Sequence, residues 1–457
     1  MARAKKEAAL TPEERLQAAL VPDWEWPHKL PENWCWTTVG AINQYVGISA
    51  DPTKAKNETF ELYSVPSSAD NYPEIVLGAD IGSTKQAVKK GDVLLCKINP
   101  RINRVWKVSK YTDHSLLASS EWIVVRNSRL ISNYLMWCFR SPYFRGYMLS
   151  NVSGVGGSLM RAQPKFVQGY PVPVPPLAEQ QRIVDRIESL FAKLDEAKEK
   201  AQAVVDSFET RKAAILHKAF TGDLTAKWRE EHGVGMDSWR WIPLKKSGSW
   251  YSGGTPSMSR SEYWENGTLL WVTAKDMKSD LIEDTLMHTN MFGVENSSAN
   301  YIAQPAVLFV MRSGILRRTF PVCMVKKPFT VNQDIKALVP TDNIDLEYLF
   351  WGCKANEKRI LESCMKNGTT VESINSAALR DFEIPIAGSN EQIEIVRILD
   401  AFFAKEQQAK EAAEIVLDQI ELMKKSILAR AFRGELGTND PSEESAVELL
   451  KRGLEKK

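Results

Sequence analysis

The feature that most constrains this fold is an internal repeat with a constant offset of 212 residues, as from 179 to 391. Glu179-Gln180 recurs as Glu391-Gln392 at this offset. The same offset aligns Ala219-Phe220-Thr221-Gly222-Asp223-Leu224 without a gap with Ala431-Phe432-Arg433-Gly434-Glu435-Leu436. The openings of the two globular segments also agree, since Trp34-Cys35-Trp36 is answered by Trp239-Arg240-Trp241 at a spacing of 205 residues. Because solenoid repeats are far shorter, this spacing indicates duplication of a whole domain with its flanking helix.

Each copy predicts one long helix, because apolar residues recur at alternating steps of four and three. The predicted seam positions are Ile183, Ile187, Leu190, Leu194, Ala197, Ala201, Val204, Phe208, Arg211 and Ile215, and then Ile395, Leu399, Phe402, Glu406, Ala409, Ala413, Val416, Ile420, Met423 and Ile427. Such a pattern is typical of a coiled coil, and about 40 residues make a helix roughly 60 Å long. Gly222 and Gly434 predict left-handed caps at the two helix ends.

One charged residue interrupts each seam, Arg211 in the first copy and Glu406 in the second. An antiparallel pairing in which Arg211 faces Glu406 also places Leu194 against Met423. The charged pair would penalise slipped alignments more than it would add stability. The alternative is that both charged side chains reach solvent at the edge of the seam.

The segments between the helices predict two distantly related globular domains. Apolar strands are predicted at residues 92–96 and 306–310, and helices at residues 131–140 and 345–355. A basic patch follows each strand. The net charge of the chain is only +2, but residues 84–110 hold eight basic residues and one acid, and residues 306–327 hold five basic residues and no acid. These patches indicate either two nucleic-acid surfaces or two solvated loop faces.

Several classes of protein are excluded by what the sequence lacks. The six cysteines form no C-x-x-C pair, so we expect them to be reduced and mostly buried, with no metal site. No stretch of about 20 apolar residues predicts a membrane span, and the charged N-terminal pattern is unlike a signal peptide, so we expect a cytoplasmic protein. Phosphate-cradling loops and convergent catalytic residues are missing, so we expect no catalytic residue.

These motifs together resemble the specificity subunit of type I restriction-modification systems. The resemblance covers nearly the whole chain and is carried by the proline-rich entry at residues 171–175, the two Glu-Gln helix starts and the two Ala-Phe-x-Gly helix ends. Gly253-Gly254-Thr255-Pro256-Ser257 in the second globular segment is also typical of such subunits. The first segment departs from this pattern, with Val46-Gly47-Ile48-Ser49, so its recognition surface cannot be transferred in detail.

The fold that the resemblance implies is α+β. Two similar mixed α/β target recognition domains are expected to be separated by two long antiparallel coiled-coil helices, with pseudo-twofold symmetry. The expected boundaries are 1–30 for an N-terminal helical arm, 31–170 and 226–385 for the recognition domains, 171–225 and 386–437 for the helical spacers, and 438–457 for a C-terminal tail.

The function implied is that of a non-catalytic subunit that reads a bipartite double-stranded DNA target. The helices would bind two methyltransferase subunits, and the complex would recruit two restriction subunits. S-adenosylmethionine, ATP and Mg would be bound by those partners, with no cofactor on this chain and no membrane contact. The alternative is a non-enzymatic scaffold that presents two protein-binding domains on a coiled coil.

The residues expected at DNA combine basic patches with two loops. Lysine and arginine at phosphates fix the position of a protein on DNA, while side chains at base edges read sequence. The expected DNA-binding residues are Lys97, Arg101, Arg104, Lys107, Ser158, Arg161, Lys275, Arg312, Arg317, Arg318, Thr369 and Thr370.

Overall fold

The computed structural model describes residues 11–154, 160–366 and 371–454. The chain forms two compact units. Unit 1 consists of Met1–Ala201 and Ile415–Lys457, and unit 2 of Gln202–Glu414. Each unit therefore combines one globular segment with part of both long helices. The expected α+β class is confirmed, since both units mix helices with short sheets.

The elements follow one another in a similar order in the two units. The helices are α1 Pro12–Ala19, α2 Val39–Ile42, α3 Ser132–Arg140, α4 Pro142–Ser150, α5 Pro164–Val167, α6 Leu177–Asp206, α7 Phe208–Thr221, α8 Ala226–His232, α9 Met291–Glu295, α10 Leu346–Ala355, α11 Glu357–Cys364, α12 Ser376–Asp381, α13 Ser389–Ala431 and α14 Ala446–Leu454. The strands are β1 Cys35–Thr38, β2 Ser49–Ala50, β3 Thr59–Tyr63, β4 Glu74–Leu77, β5 Lys85–Ala87, β6 Val93–Cys96, β7 Val105–Lys107, β8 Ser115–Ala118, β9 Trp122–Val125, β10 Val152–Ser153, β11 Arg161–Ala162, β12 Pro171–Val174, β13 Arg240–Pro243, β14 Gly248–Ser252, β15 Leu269–Val272, β16 His288–Thr289, β17 Ala306–Val310, β18 Val322–Val325, β19 Phe329–Val331, β20 Ile335–Pro340, β21 Met365–Lys366, β22 Ser373–Ile374 and β23 Glu383–Ile386.

A buried strand lies at the centre of each unit. In unit 1, β6 pairs antiparallel with β7 and β9, and a five-stranded mixed sheet of order β2-β5-β8-β3-β4 lies in the same unit. In unit 2, β17 pairs antiparallel with β18 and β20. All side chains of β6 and β17 are buried, as their continuous apolar sequences predict. These strands carry the basic loops discussed below.

The start of each globular segment pairs with its end. In unit 1, β1 is antiparallel to β12, with Trp36 opposite Pro173, and in unit 2, β13 is antiparallel to β23, with Trp241 opposite Pro385. The prolines can occupy these strands because each pair is a two-stranded ribbon with open edges. The proline-rich entry before the first long helix is therefore an extended strand, as is the segment before the second long helix, and each strand closes its globular segment.

The repeated Glu-Gln pair anchors each long helix to its own unit through buried hydrogen bonds. Trp34 Nε1 donates to Glu179 Oε2 at 2.7 Å, and Trp239 Nε1 donates to Glu391 Oε2 at 2.8 Å. Glu391 also accepts a hydrogen bond of 2.6 Å from Arg229 Nη1. Both carboxylates are buried, so these donors offset the cost of removing them from water.

The repeated glycines end the helices as predicted. Gly222 and Gly434 have φ of +89° and +77°, in the left-handed region that glycine adopts without strain. Two residues before Gly434, the buried ring of Phe432 packs 5.4 Å from the ring of Tyr134 in unit 1. In unit 2, Phe220 packs 5.1 Å from Tyr348. The same aromatic contact therefore recurs in both cores.

The first copy of the long helix is not one uninterrupted helix, contrary to the prediction. It divides at Ser207, which has φ −83° and ψ −4°. The Ser207 hydroxyl donates to the carbonyl of Ala203, and Arg211 Nη2 donates to that of Val204 at 3.2 Å. Side chains that bond the carbonyls of the preceding turn compete with the helix ladder and bend it. The second copy, α13, is continuous over its full length.

The predicted seam of α13 is partly wrong. Val416 and Met423 are exposed, at 39% and 49%. The next residues along the chain, Leu417 and Lys424, turn inward instead, and Lys424 pairs with Asp195. The predicted layer of Leu194 against Met423 is therefore not a buried seam layer. The Lys424 ammonium lies 5.3 Å from the centre of the Phe191 ring. The aliphatic part of the lysine side chain therefore packs in the seam in place of an apolar residue.

The predicted charged pair is present in unit 2. Arg211 Nε donates to Glu406 Oε2 at 2.7 Å, and both side chains are partly buried. We expect Arg211→Glu to lower the free energy of unfolding by about 1 kcal/mol or more, because a partly exposed attraction becomes a repulsion. Denaturant unfolding measures this loss. The second change Glu406→Arg should recover it, and a double variant no more stable than the single one would contradict the pairing.

Candidate nucleic-acid interface

The first basic loop leaves the end of β6 through a tight turn. Residues Pro100–Ile102 form one 3-10 turn, flanked by Asn99 and Asn103 with φ of +45° and +53°. Asparagine is among the few residues that tolerate this region, which explains both positions. The turn exposes Arg101, and its backbone is held by a 2.8 Å bond from Asn99 N to the Met160 carbonyl.

A basic cleft of about 660 Å³ lies beside this loop in unit 1. Its charged lining residues are Arg104, Arg140, Arg145 and Lys425, and none of the described residues that line it is acidic. Such a cleft favours an anion, because four cations converge without a carboxylate to neutralise them. The sequence reasoning found only Arg104. The other three come from α3, α4 and α13, and nothing in their local sequence marks them as neighbours.

The corresponding cleft of unit 2 is smaller, at about 530 Å³, and of mixed charge. Arg318, Lys212, Lys354 and Lys358 line it together with two acids, Glu209 and Glu357. Its place is equivalent, since Arg318 follows the central strand of unit 2 as Arg104 follows that of unit 1. The two units therefore offer unequal attraction to phosphate at matching positions.

Several predicted DNA residues are engaged in ion pairs or hydrogen bonds. Arg161 Nη2 lies 3.3 Å from Glu121 Oε1, and Lys97 Nζ lies 4.0 Å from the other oxygen of the same carboxylate. Lys107 donates to Asn133 at 2.5 Å. In unit 2, Arg312 pairs with Asp334 at 2.8 Å, and Arg317 pairs with Glu372.

The other predicted cations lack a carboxylate partner within the described ranges. These residues are Arg101, Arg104, Lys275 and Arg318. Arg101, Lys275 and Arg318 are also exposed. The predicted residues Ser158, Thr369 and Thr370 lie outside the described residues. Beside them, the hairpins β10-β11 and β21-β22 stand at matching places in the two units.

The pKa shifts of two groups at these loops follow from local contacts. Burial raises the pKa of the Cys96 thiol, although nearby Arg104 acts in the opposite direction. Hydrogen bonding from Arg317 lowers the pKa of the Glu372 carboxyl. A buried thiol with a raised pKa is a poor nucleophile, so Cys96 fits a packing role. All six cysteines are buried, as expected from the sequence.

Among the described residues, no group of histidine, cysteine and acidic side chains is arranged to hold a metal ion. No helix in that part of the chain is long and apolar enough to cross a bilayer. The two units share three features, which are a buried central strand, a basic loop after this strand and a short hairpin beside the loop.

Part of the chain is similar to one family of known proteins. Residues 251–415 match the family described as type I restriction modification DNA specificity domain. The specificity subunit of the Escherichia coli type I restriction enzyme EcoR124I/EcoR124II is 39% identical over 162 residues, which cover 35% of this chain and 40% of that protein. The chain thus matches less than half the length of that relative.

Longer matches are more distant. The HindI specificity subunit of Haemophilus influenzae is 22% identical over 420 residues, covering 78% of this chain and 88% of that protein. Among solved structures, an HsdS subunit from Thermoanaerobacter tengcongensis has a TM-score of 0.64 at 21% identity, covering 90% of this chain and all of that one. A chain from a study of the assembly and conformational transition of a type I restriction-modification system has a TM-score of 0.70 at 22% identity, with the same coverage. These structures share the fold of this chain.

Proposed function

We propose that the chain is a specificity subunit of a type I restriction-modification system, which reads a two-part double-stranded DNA target with one unit for each part. The similarity to specificity domains and subunits supports this proposal. The observation that carries the proposal is the duplication of one recognition surface. Each unit has its own core, its own central strand and its own basic loop beside a hairpin. A duplicated reader fits a target with two separate parts.

Basic residues of both units contribute the contacts to phosphate. Arg101 and Arg104 in unit 1, with Arg318 and Lys275 in unit 2, lack internal carboxylate partners within the described ranges, so binding DNA would break no ion pair at these residues. The remaining predicted residues act beside them, including Ser158, Thr369 and Thr370. Phosphate contacts position the protein, and their strength falls as salt rises.

The long helices dock the catalytic partners. Two methyltransferase subunits would bind there, and two restriction subunits would join through the resulting complex. This chain supplies no catalytic residue; S-adenosylmethionine, ATP and Mg are held by those partners. The exposed apolar side chains Leu422 and Met423 on α13 support a docking role, since exposed apolar groups cluster where partners bind.

The test is methylome sequencing of cells that carry this chain with its neighbouring methyltransferase, compared with deletion of this chain alone. We expect a bipartite adenine-methylation motif that disappears on deletion. An unchanged methylome, with the methyltransferase confirmed active, would favour the scaffold that presents two protein-binding domains.

We expect Arg104→Ala to weaken DNA binding to all sequences alike, because this residue lines the basic cleft and contributes charge without reading bases. The slope of log affinity against log salt should become shallower by about one. Binding of the complex to specific and nonspecific duplexes across a salt series measures both effects. Lys54→Ala, an exposed lysine of unit 1 ion-paired to Asp51, is the control. A loss of affinity for the specific duplex alone would contradict a phosphate role.

A further inference from the structure

An acidic residue occupies the same place in both units, although the sequence around it differs. Glu121 follows β8 and Asp334 follows β19, each in the turn before the next strand. The backbone marks them as equivalent. Lys97 N donates to the Glu121 carbonyl at 3.1 Å, and Met311 N donates to the Asp334 carbonyl at 2.7 Å. Both acids therefore lie next to the first residue after the central strand, where the basic loop begins.

An arginine pairs with this acid in both units, but it lies on a different segment in each. One pair of residues joins the basic loop to the hairpin beside it, and the arginine is the hairpin residue of that pair in one unit and the loop residue in the other. Two residues after the central strand, Ile98 pairs with Arg161 in unit 1, and Arg312 pairs with Ser373 in unit 2. The arginine stands on the hairpin in unit 1 and on the loop in unit 2. In both cases it forms an ion pair with the acid, Arg161 with Glu121 and Arg312 with Asp334.

The ion pair uses only part of each arginine. Arg161 contacts its acid through Nη2 and Arg312 through Nε, and these side chains are 53% and 58% exposed. Arg126 in unit 1 differs, because its Nε and Nη2 both donate hydrogen bonds of 2.7 Å to the Asp92 carboxylate, and its side chain is only 20% exposed. A guanidinium has five N–H donors in a rigid plane. Arg161 and Arg312 therefore keep donors that point to solvent.

The acid of unit 1 is shared between two cations. Glu121 Oε1 lies 3.3 Å from Arg161 Nη2, and the buried Oε2 makes no hydrogen bond among the described residues but lies 4.0 Å from Lys97 Nζ. Because each oxygen faces a cation, the carboxylate is held in one place and orients the exposed arginine. A fixed orientation reduces the rotamer freedom that the arginine loses on binding.

We propose that Arg161 and Arg312 each read a guanine in the major groove, one in each part of the target, with Glu121 and Asp334 as positioning residues. Two parallel N–H donors match the O6 and N7 acceptors of guanine, which no other base pair presents in that pattern. The inference rests on the proposed function and adds to it the residues and the base that carry specificity. A β-ribbon can enter the major groove, which suits the hairpin of Arg161.

The test changes Arg161 to serine, the residue that unit 2 has at the matching position, in the full chain with its methyltransferase partner. We expect the methylated motif to relax at one guanine in one half-site, with about ten-fold or greater loss of discrimination there. The other half-site should keep its sequence. Arg312→Ile should relax one guanine in that other half-site.

Two further variants separate reading from folding. Lys54→Ser removes another exposed cation of unit 1 and should leave the motif unchanged. The double change Ile98→Arg with Arg161→Ser rebuilds the arrangement of unit 2 and should restore the guanine preference. A folded double variant that does not restore it would contradict the equivalence of the two pairs and overturn the proposal.

A motif that keeps its sequence in Arg161→Ser while methylation falls at all sites would mean that the ion pair only stabilises the fold. That result would overturn this inference and leave the proposed function intact, since the parent chain would still direct methylation to a bipartite site. Loss of both half-sites together would equally overturn it. Failure of the parent chain to direct methylation at all would instead reject the proposed function.

Discussion

Replacing Arg229 with methionine should lower the free energy of unfolding by about 3–5 kcal/mol, because a buried carboxylate would lose its cation. Arg229 Nη1 donates to Glu391 Oε1 at 2.6 Å, and the two side chains are 10% and 1% exposed. Thr225 and Trp239 also donate to this carboxylate, but neither carries charge. Denaturant or thermal unfolding of the purified chain measures the loss.

The control is the double variant Arg229→Met with Glu391→Gln, which removes the charge as well as its partner. We expect it to regain most of the lost stability, since a neutral amide can keep the bond from Trp239. In unit 1 the equivalent Glu179 is held by Trp34, Thr438 and Asn439, which are all neutral donors. A single variant as stable as the parent chain would mean that the neutral donors of unit 2 suffice as well.

Phe432→Ala should destabilise unit 1 by about 3–5 kcal/mol, because it deletes a fully buried ring and leaves a cavity against Tyr134. Phe220→Ala should have a similar effect on unit 2, where the ring packs against Tyr348. Hydrogen exchange resolved by peptide locates the loss. Each variant should raise exchange first in its own unit.

The two variants act as controls for each other, since they remove the same ring from matching places. Equal effects of either variant on both units would show that the chain unfolds as one cooperative block. An unchanged exchange pattern in Phe432→Ala would contradict the packing role of the repeated Ala-Phe-x-Gly segment.

The repeat predicted most of the fold because its signals are local or strictly periodic. Helix α3 and helix α10 begin within one residue of prediction, and the central strands β6 and β17 lie where their apolar runs indicated. The left-handed glycines also followed from one residue type at one position. Each of these features depends on a short stretch of chain that carries its own evidence.

The seam of α13 could not be predicted fully, because apolar residues occur side by side. Val416 and Leu417 are both apolar, and their sequence alone does not say which one faces the partner helix. About two turns further along the helix, the less hydrophobic of two neighbouring residues faces inward, since Lys424 is partly buried and Met423 is exposed. A pairing with Asp195 and contact with an aromatic ring decide that choice, and both come from the other helix.

The candidate site was predicted in outline and missed in detail for a similar reason. Runs of lysine and arginine after a strand identify a basic loop, as the exposed Arg101 illustrates. Whether a given arginine is already paired depends on residues far along the chain, as Arg317 depends on Glu372. The cleft cations Arg140 and Arg145 were missed because they lie on helices whose sequences predict only packing.

The order of the segments that form the two units has a consequence for their synthesis on the ribosome. Unit 2 is continuous from Gln202 to Glu414, so every residue it needs has been made once that stretch emerges. Unit 1 lacks its residues 415–457 until all of unit 2 has been made, although residues 1–201 of unit 1 are synthesised before unit 2. Until those residues are made, the Glu179 carboxylate lacks its hydrogen bonds from Thr438 and Asn439. The Tyr134 ring likewise lacks its contact with Phe432. Unit 1 can therefore complete its fold only after the whole of unit 2 has been synthesised.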